Sequence, residues 1–357
     1  MINFCTLFDS NYLTRGLALY ESLENVCSSF HLYVVAFNKE CYDYLKKAGL
    51  ANLTVIVLSD FEDEYLLKIK PIRSAAEYCW TCTPSVILFC IKKYGLHSCT
   101  YIDADMIFYH DPKVLIEEMD SNSILITEHR YTKDYNQSKY SGIYCVQLMC
   151  FKNDHNGMRA LNWWRDRCIE WCYARHEDGK FGDQKYLDDW LTRFEGVHVL
   201  QHPAGGVAPW NLQQFRFFEK DNSIFIGEKK SGAIYPLIFF HFHGVKFYTD
   251  NYISCCEALY QIENNAKEII YLPYFNSLIT IEDQLRKEGV KFNVNGARTV
   301  SPGKGEIVLQ YFKHIFALWK LGNIKYPSLQ LFNVEKHNHF YKAELIKQKI
   351  DGRADRS

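Results

Sequence analysis

Short apolar runs alternate with amphipathic stretches through the first sixty residues, and this alternation restricts the fold more than any other feature. Apolar runs at residues 4–8, 30–37 and 53–58 predict three buried strands. Residues 13–23 carry apolar side chains at helical spacing, and residues 38–50 suit a second helix. Strand–helix–strand–helix–strand is typical of an α/β protein with a doubly wound parallel sheet, where ligands bind beyond the carboxyl ends of the strands.

Two carboxylates follow the next predicted strand. The segment from Cys99 to Pro112 begins with a short apolar run and then carries Asp103 and Asp105. Side chains two residues apart on an extended chain project to the same side, so these carboxylates can converge on one cation. Carboxylates beside apolar surface are costly unless a positive charge neutralises them, and a hard divalent ion with oxygen ligands is the simplest neutraliser. The alternative is a pair of solvated acids in a turn before Pro112.

The remaining pattern divides the chain near residue 250. Strand-like runs at 124–127, 144–151, 197–200 and 237–242 alternate with predicted helices at 73–94, 158–173 and 181–190. Pro84 is expected to begin a fresh helical segment. We predict a catalytic domain over residues 1–250 and a mostly helical region over residues 251–357. In that region residues 306–321 predict an amphipathic helix, with an apolar side formed by Val308, Tyr311, Phe312, Ile315, Phe316 and Trp319.

Charge and cysteine usage narrow the function classes. The formal net charge of -1 gives no reason to expect nucleic acid as a partner. Thirteen irregularly spaced cysteines, with one C-x-x-C pair at Cys79 and Cys82, favour reduced thiols in a cytoplasmic protein over a zinc site. We expect no signal peptide, and no apolar stretch is long enough to span a bilayer. From Lys342 onward basic residues crowd the C-terminal end, which is compatible with an anionic membrane surface.

Four short motifs occur in an order that indicates a function. Asp9-Ser-Asn-Tyr12 follows the first strand, Asp103-Ala-Asp105 the central one, then come Asp183-Gln184 and His241-Phe-His-Gly-Val-Lys246. In these motifs the chain resembles the nucleotide-sugar glycosyltransferases of the GT-A fold. It is most similar to family 8, the glycogenin and lipopolysaccharide galactosyltransferase group, over roughly residues 2–250. The resemblance implies a GT-A, Rossmann-like three-layer α/β/α sandwich with a mostly parallel central sheet, followed by a helical C-terminal appendage.

For the nucleotide, the resemblance implies contacts around the first motif. The motif holds the base and ribose in the family, and here Tyr12 or Phe8 is expected to stack on the base. Arg73 has an alternative role as a helical surface pair with Glu77, four residues on. The residues assigned to nucleotide binding are Thr6, Phe8, Asp9, Asn11, Tyr12, Arg73, Asp103 and Ala104.

The resemblance implies that the second and last motifs bind the metal and the diphosphate. The predicted ligands of Mn²⁺ or Mg²⁺ are Asp103, Asp105, His241 and His243, and Lys246 with Gly244 is assigned to the diphosphate. The chemistry fits these residue types independently. The leaving nucleoside diphosphate develops charge on its β-phosphate, and a divalent ion supplies Lewis-acid stabilisation there. A lysine adds a fixed positive charge.

For the sugar, the resemblance places Asp183 and Gln184 near the anomeric carbon. It implies retention of configuration, with Gln184 near that centre and no strong protein base. If the enzyme inverts, a carboxylate must deprotonate the acceptor hydroxyl, and Asp183 is the best candidate. Asp183 can alternatively be only a cap of the following helix. Trp210 and Asn211, in a loop rich in glycine and proline, are further candidates for sugar or acceptor contacts.

The sequence departs from the family pattern at two places. The last motif is His241-x-x-Gly244-x-Lys246, one residue short, so either His241 or His243 can be the metal ligand. The family's Asn-Ala-Gly-like strand reads Tyr144-Cys-Val-Gln147 here, which puts the sugar-specificity position, Gln147, in question.

The resulting prediction is a metal-dependent transferase that moves a sugar, with a UDP-sugar as the favoured donor, to a glycan or lipid-linked acceptor. A role in bacterial surface polysaccharide or lipopolysaccharide synthesis is expected, in the cytoplasm or peripherally on the inner face of the membrane. The oligomeric state is left open. The alternatives are a haloacid-dehalogenase phosphatase, a sugar nucleotidyltransferase and a catalytically silent nucleotide-sugar-binding protein. The phosphatases normally carry their Asp-x-Asp on the first strand, whereas three predicted strands precede it here. The nucleotidyltransferases need a glycine-rich first turn, and Asp9-Ser-Asn-Tyr12 contains no glycine.

Overall fold

A seven-stranded sheet lies at the centre of the computed structural model, which describes residues 1–257, 259–320 and 340–346. The strands are β1 (Ile2–Phe8), β2 (Phe30–Ala36), β3 (Leu53–Val57), β4 (Ser98–Ile102), β5 (Met106–Phe108), β6 (Ile124–Glu128), β7 (Tyr144–Lys152), β8 (Val197–Val199), β9 (Phe215–Lys220), β10 (Ser223–Glu228), β11 (Ile234–Pro236), β12 (Phe239–His241), β13 (Lys246–Phe247), β14 (Tyr252–Ser254) and β15 (Phe340–Lys342). The predicted strands of the first sixty residues are confirmed, each within two residues at its ends.

The helices alternate with the strands in the first half of the chain and dominate the end. They are α1 (Leu13–Val26), α2 (Lys39–Ala48), α3 (Leu58–Phe61), α4 (Glu64–Ile69), α5 (Ala75–Tyr94), α6 (Lys113–Glu117), α7 (Ser138–Ser141), α8 (His155–Glu170), α9 (Trp190–Arg193), α10 (Asn264–Ala266), α11 (Leu272–Lys287) and α12 (Lys304–Lys320). Short 3₁₀ turns at Ser10–Tyr12 and Gln184–Asp189 carry two of the sequence motifs.

The central sheet is mostly parallel. Its strands lie in the order β3-β2-β1-β4-β7-β6-β8. The first four are parallel to one another, β7 is antiparallel to both of its neighbours, and β6 is parallel to β8. This arrangement confirms the predicted α/β class with a mostly parallel sheet.

Helices cover both faces of this sheet. Alternate residues of β1 enter two separate cores, Phe4 and Phe8 on one face and Cys5 and Leu7 on the other. Helices α1, α2 and α11 contribute to the first core, and α4, α5 and α8 contribute to the second. The predicted three-layer sandwich is therefore confirmed. The thirteen cysteines are free thiols, twelve of them buried, so they pack chiefly as small hydrophobic side chains.

Helix α5 runs through Pro84 without interruption, so the prediction of a fresh helical segment at this residue is wrong. Proline removes one backbone hydrogen bond, but both ends of this helix are well anchored. Ser74 and Glu77 form a reciprocal capping box at its start, and Gly95 takes the left-handed conformation after its last turn. Burial of its middle, including Val86 and Ile87, offsets the lost bond.

The region after residue 250 packs against the first core. Helix α11 lies on α1, and Phe275 and Leu278 are fully buried in the core they share. Helix α12 confirms the predicted amphipathic helix up to residue 320, while Leu321 and the basic end from residue 347 lie outside the described residues. The division at residue 250 stays a prediction. Within the described ranges, no helix has both the length and the apolar character needed to cross a bilayer.

Glycine is required at position 16 of α1, because an added Cβ would lie 2.3 Å from Cζ of the buried Phe8 ring. We expect Gly16→Ala to lower the free energy of unfolding by about 1–3 kcal/mol, the usual effect of overpacking. Intrinsic helix propensity alone predicts a gain of about 1 kcal/mol. Urea unfolding followed by circular dichroism measures the difference.

The matched control is Gly305→Ala in α12, where the described residues outside the adjoining helix backbone leave the space around the added Cβ open. It should be neutral or slightly stabilising. Equal effects of the two substitutions would contradict the steric explanation.

Candidate functional site

The second motif lies where the central strand ends. Strand β4 finishes at Ile102, and Asp103 follows at the carboxyl edge of the sheet. The chain then forms β5, which pairs antiparallel with β12 so that Met106 lies opposite His241. The amide of Phe242 donates to the carbonyl of Asp105 at 2.9 Å and extends this pairing. Backbone hydrogen bonds therefore bring the last motif against the second, although some 135 residues separate them.

Asp103, Asp105 and His241 form a compact group of metal-ligand side chains. Each offers one ligand atom, and these atoms lie within 4.8 Å of one another. His241 Nε2 lies 3.2 Å from Asp105 Oδ1 and 3.6 Å from Asp103 Oδ2. His243 is exposed and its ring centroid is 5.6 Å from that of His241. Of the two histidines that the sequence left open, the geometry brings His241 to the carboxylates.

The charges of this group are strongly coupled. Burial acts to raise the pKa of Asp105, but the charge of His241 and its hydrogen bond outweigh burial and lower that pKa to about 2. Burial acts to lower the pKa of His241, yet Asp105 raises it well above the usual value. Burial raises the pKa of Asp103 against the opposing charge of His241. Two carboxylates thus face one imidazole, so the group carries an excess of negative charge that a cation can neutralise.

The donor set fits a hard divalent cation. It consists of two carboxylate oxygens and one imidazole nitrogen, with one side of the group open to a cleft lined by Asp103 and His241. Mn²⁺ accepts both ligand types, and Mg²⁺ favours the carboxylates and keeps other positions for water or phosphate oxygens. Tyr101 supports the group by donating from its hydroxyl to Asp103 Oδ1 at 2.8 Å.

The first motif forms a tight turn after β1. Asp9 accepts from the backbone amide of Asn11 at 2.9 Å and from its side-chain amide at 2.7 Å. This turn presents Tyr12 at the surface, where its side chain is 40% exposed. Phe8 and Thr6 are instead buried inside the fold. Of the two rings predicted to stack on a base, only Tyr12 is accessible.

Arg15 is a residue that the sequence analysis missed. It is almost completely buried, with its guanidinium 4.4 Å from the centre of the Tyr12 ring. It donates to the carbonyls of Val245 at 3.0 Å and Asn295 at 3.2 Å. Arg15 therefore connects the first motif, the last motif and the C-terminal region. The available signal was its position three residues after Tyr12 on the following helix.

Asp183 and Gln184 lie on the wall of the cleft. Asp183 follows Gly182, which has a φ of 52° and lies against the Trp80 ring. The side chain of Asp183 makes no capping bond to the following 3₁₀ turn, so its alternative interpretation as a cap is wrong. Burial, and then the charge of Asp103, raises the pKa of Asp183 to about 8. Gln184 donates from its amide to the carbonyl of Ser141 at 2.9 Å.

The cleft joins these groups in one volume of about 510 Å³. Its polar lining includes Asp103, Asp183, Gln184 and His241. Aromatic residues form much of the remaining wall, namely Trp80, Tyr101, Tyr131, Tyr140, Phe181, Trp210 and Tyr260. A concave site with a few polar groups among aromatic side chains is typical of a small-molecule or saccharide pocket.

Two predicted sugar contacts are buried in the structure. Trp210 is 4% exposed, and its ring lies edge-on to His241 with centroids 5.5 Å apart. Asn211 is 2% exposed and donates to the carbonyls of His129 and Gly206, each at 2.9 Å. Asn211 also accepts from the amide of Ala208. Trp210 thus lines the cleft, while Asn211 holds the loop behind it.

The remaining predicted residues differ in accessibility. Lys246 is exposed on β13, and Gly244 takes a φ of 82° just before it. Ala104 is buried between the two carboxylates. Arg73 is also buried, with its guanidinium 3.8 Å from the centre of the Tyr173 ring.

Neither Lys246 nor Arg73 lies among the residues that line the cleft. Among the described residues Arg73 Nε and one terminal nitrogen have no hydrogen-bond partner, and the other terminal nitrogen donates to the carbonyl of Ile169. Glu77 accepts instead from the backbone amides of Ser74 and Ala174. Glu77 thereby serves in the capping box of α5. The alternative of a surface pair is therefore wrong, and the nucleotide role of Arg73 stays a prediction.

Two proteins of Bacillus subtilis (strain 168), both described as uncharacterized, are similar in sequence. YfnD is 29% identical over 290 residues, which are 80% of this chain and 91% of YfnD. YfnF is 31% identical over 259 residues, which are 70% of this chain and 84% of YfnF. No known family profile matches the chain.

Several solved glycosyltransferases are similar in structure. The galactosyltransferase LgtC, solved with donor and acceptor sugar analogs, is 11% identical over 80% of this chain and all of LgtC, with a TM-score of 0.45. The glycosyltransferase GlyE of Streptococcus pneumoniae TIGR4 is 12% identical over 82% of this chain and 64% of GlyE, with a TM-score of 0.42. Mouse xyloside xylosyltransferase 1 is 14% identical over 56% of this chain and 84% of its own, with a TM-score of 0.38. The fold assignment above rests on the strand order and layers of this chain.

The raised pKa of Asp183 predicts a pH-dependent effect of Asp183→Asn in EDTA-treated protein. An unfolded aspartate titrates near 4 and the folded one near 8, so the folded state binds the proton more tightly. The contribution of Asp183 to wild-type stability therefore falls as the pH rises between these values and is flat above them. The asparagine variant escapes this loss, and at pH 8.5 its Tm should exceed that of the wild type by a few degrees. Thermal unfolding from pH 4 to pH 9 measures the difference.

The control is Glu195→Gln, which changes an exposed acid. Its Tm difference from the wild type should not grow with pH. A constant difference for Asp183→Asn across the range would contradict the raised pKa.

Proposed function

We propose that this chain, which belongs to the same family as Bacillus subtilis YfnF, is a metal-dependent glycosyltransferase. In this proposal it moves a sugar from a nucleoside diphosphate, with UDP favoured, to a glycan or lipid-linked saccharide. The observation that carries the proposal is the Asp103–Asp105–His241 group at the carboxyl edge of the sheet. The motif resemblance described above agrees with it.

In this proposal three groups of residues bind different parts of the donor. The exposed ring of Tyr12 stacks on the base, and the turn made by Asp9 holds the ribose. Asp103, Asp105 and His241 hold Mn²⁺ or Mg²⁺, which supplies Lewis-acid stabilisation of the departing diphosphate when bound. The exposed ammonium of Lys246 adds a positive charge to the diphosphate.

Asp183 and Gln184 face the sugar in this proposal. A carboxyl with a pKa of about 8 is mostly protonated near neutral pH, so only a minor fraction of Asp183 is available as a base and most of it can donate a hydrogen bond. This protonation state favours retention of configuration, which needs no strong protein base at this position. Inversion with Asp183 as base is the alternative outcome.

The acceptor is proposed to be a saccharide of a bacterial surface polysaccharide or lipopolysaccharide, made on the cytoplasmic side. The aromatic lining of the cleft supports a saccharide as acceptor, because the apolar C–H face of a sugar ring can pack on the face of an aromatic side chain.

Asp105→Ala should reduce sugar transfer or donor hydrolysis by more than about a hundredfold, because it removes one ligand and leaves His241 without its nearest carboxylate. The assay incubates the protein with Mn²⁺ and a panel of UDP-, GDP- and dTDP-sugars. Mass spectrometry detects the products, and NMR gives the anomeric configuration, expected to be retained.

Glu219→Gln, which removes an exposed carboxylate of β9, is the matched control and should retain full activity. Wild-type activity that survives excess EDTA would count against the metal. Nucleotide binding by calorimetry without turnover of any donor would favour the silent binding protein instead.

Peripheral membrane contact is proposed to involve α12. Exposed apolar side chains three or four residues apart form one stripe along it, namely Leu309, Phe312, Phe316 and Trp319. Lys313 is exposed on the same helix and suits an anionic headgroup. Anionic lipid is therefore the occupant we propose for this stripe.

The protein should co-sediment with phosphatidylglycerol vesicles and much less with phosphatidylcholine vesicles. The double variant Leu309→Ser with Trp319→Ser should lose this binding while it keeps the thermal stability of the wild type. Removal of all residues after 301 is a poorer test, since it also deletes β15, which pairs with β14. Absence of wild-type binding, or a concentration-dependent dimer that the double variant abolishes, would overturn the membrane contact.

A further inference from the structure

We infer that Gln147 is a positioning residue of the metal site, which holds His241 in its metal-binding tautomer and fixes Asp103 through the backbone. This inference rests on the proposed metal role of the Asp103–Asp105–His241 group. It assigns Gln147 to His241 instead of to the donor sugar. The side chain of Gln147 is completely buried on β7 and is not among the residues that line the cleft.

The side chain of Gln147 determines which nitrogen of His241 carries the proton. Gln147 Oε1 lies 2.9 Å from His241 Nδ1. An amide oxygen only accepts hydrogen bonds, so Nδ1 must be the protonated nitrogen of this pair. In the neutral ring the lone pair is then on Nε2, the atom that lies 3.2 Å from Asp105 and 3.6 Å from Asp103. That is the tautomer required of a metal ligand.

The backbone of Gln147 also contacts the site. The amide of Asp103 donates to the carbonyl of Gln147 at 3.1 Å, which extends the β4–β7 ladder one step beyond the pair of Ile102 and Leu148. Gln147 therefore touches a ligand from the second motif through its backbone and a ligand from the last motif through its side chain. One residue sets the relative position of two ligands that arrive from distant parts of the chain.

Accommodating the Gln147 side chain requires a glycine beside it and leaves one of its polar atoms unpaired. Gly206 has a φ of 101°, and an added Cβ at this position would lie 3.1 Å from Gln147 Nε2. Among the described residues Gln147 Nε2 has no hydrogen-bond partner. A buried amide with an unpaired donor destabilises a fold relative to an apolar side chain of the same size. Packing alone does not explain a buried amide at this position, whereas the hydrogen bond between Oε1 and His241 does.

The test is calorimetric titration of the metal-free protein with MnCl₂. Gln147→Met keeps the length of the side chain and removes the amide oxygen, so we expect Mn²⁺ affinity to fall about 10–100-fold, as for other partners of ligating histidines. Leu148→Met, a volume-conserving change at a buried neighbour on the same strand, is the matched control and should leave the affinity within twofold. Gln147→Glu restores an acceptor at the same reach and should keep most of the affinity.

A spectroscopic measurement distinguishes positioning from packing. In Mg²⁺-loaded protein labelled with ¹⁵N-histidine, NMR should find the His241 proton on Nδ1 in the wild type and in Leu148→Met. In Gln147→Met the Nδ1 proton loses its acceptor and should exchange faster with water. A merely structural role for Gln147 would leave this exchange rate unchanged. Because the wild-type spectrum is informative by itself, the inference remains testable if Gln147→Met does not fold.

The outcomes separate this inference from the proposed function. Equal Mn²⁺ affinity of wild type and a folded Gln147→Met would overturn the role of Gln147 and leave the metal site intact. A proton on His241 Nε2 in the loaded wild type would overturn the role of Gln147 and also remove His241 from the ligands, because Nε2 is the nitrogen beside the carboxylates. Absence of Mn²⁺ and Mg²⁺ binding by the wild type would overturn both.

Discussion

The antiparallel pairing of β5 with β12 is the contact on which the candidate site depends. Asp103 and Asp105 are local to one strand end, but they become a three-ligand group only because β12 places His241 opposite Met106. The pairing is formed by backbone hydrogen bonds within a buried region, so it places the imidazole more firmly than a loop would. The first motif meets this group at the same sheet edge, because β1 and β4 are parallel neighbours.

Electrostatics then give the members of the site different protonation states. Asp105 is held ionised by His241, while Asp183 is shifted toward its neutral form by burial and by Asp103. The two carboxyls therefore suit different tasks near neutral pH, one as a charged ligand and the other as a hydrogen-bond donor. A change at Asp103 would affect both, since its charge acts on each of them.

The sequence was sufficient for the fold class and for the members of the site that belong to motifs. Apolar runs and helical spacing predicted the strands and helices of the first sixty residues, and the spacing of Asp103 and Asp105 predicted their convergence. Pro84 was misread because burial and strong caps override local propensity, which a pattern at one residue does not reveal.

The choice between His241 and His243 required the register of β12, which depends on long-range pairing. The contacts of Arg15 and Gln147 depend on long-range pairing in the same way. Their partners, Val245, Asn295 and His241, are distant in sequence. The position of Arg15 after Tyr12 indicated only that it is close to the first motif, and Gln147 was predicted to contact the sugar. The Asn211 side chain forms hydrogen bonds to Gly206 and Ala208 within its own loop. The glycine and proline content of the loop does not indicate these bonds.

The bridge made by Arg15 has a consequence for what counts as an independent unit of this protein. A buried guanidinium needs its acceptors, and one of its two carbonyl partners belongs to Asn295, beyond the segment that resembles known enzymes. Without that partner and without α11, helix α1 would present a bare apolar face behind the turn that carries Tyr12. A substitution or truncation in the C-terminal region is therefore expected to disturb the turn that carries Tyr12, so the two regions do not behave as separable modules.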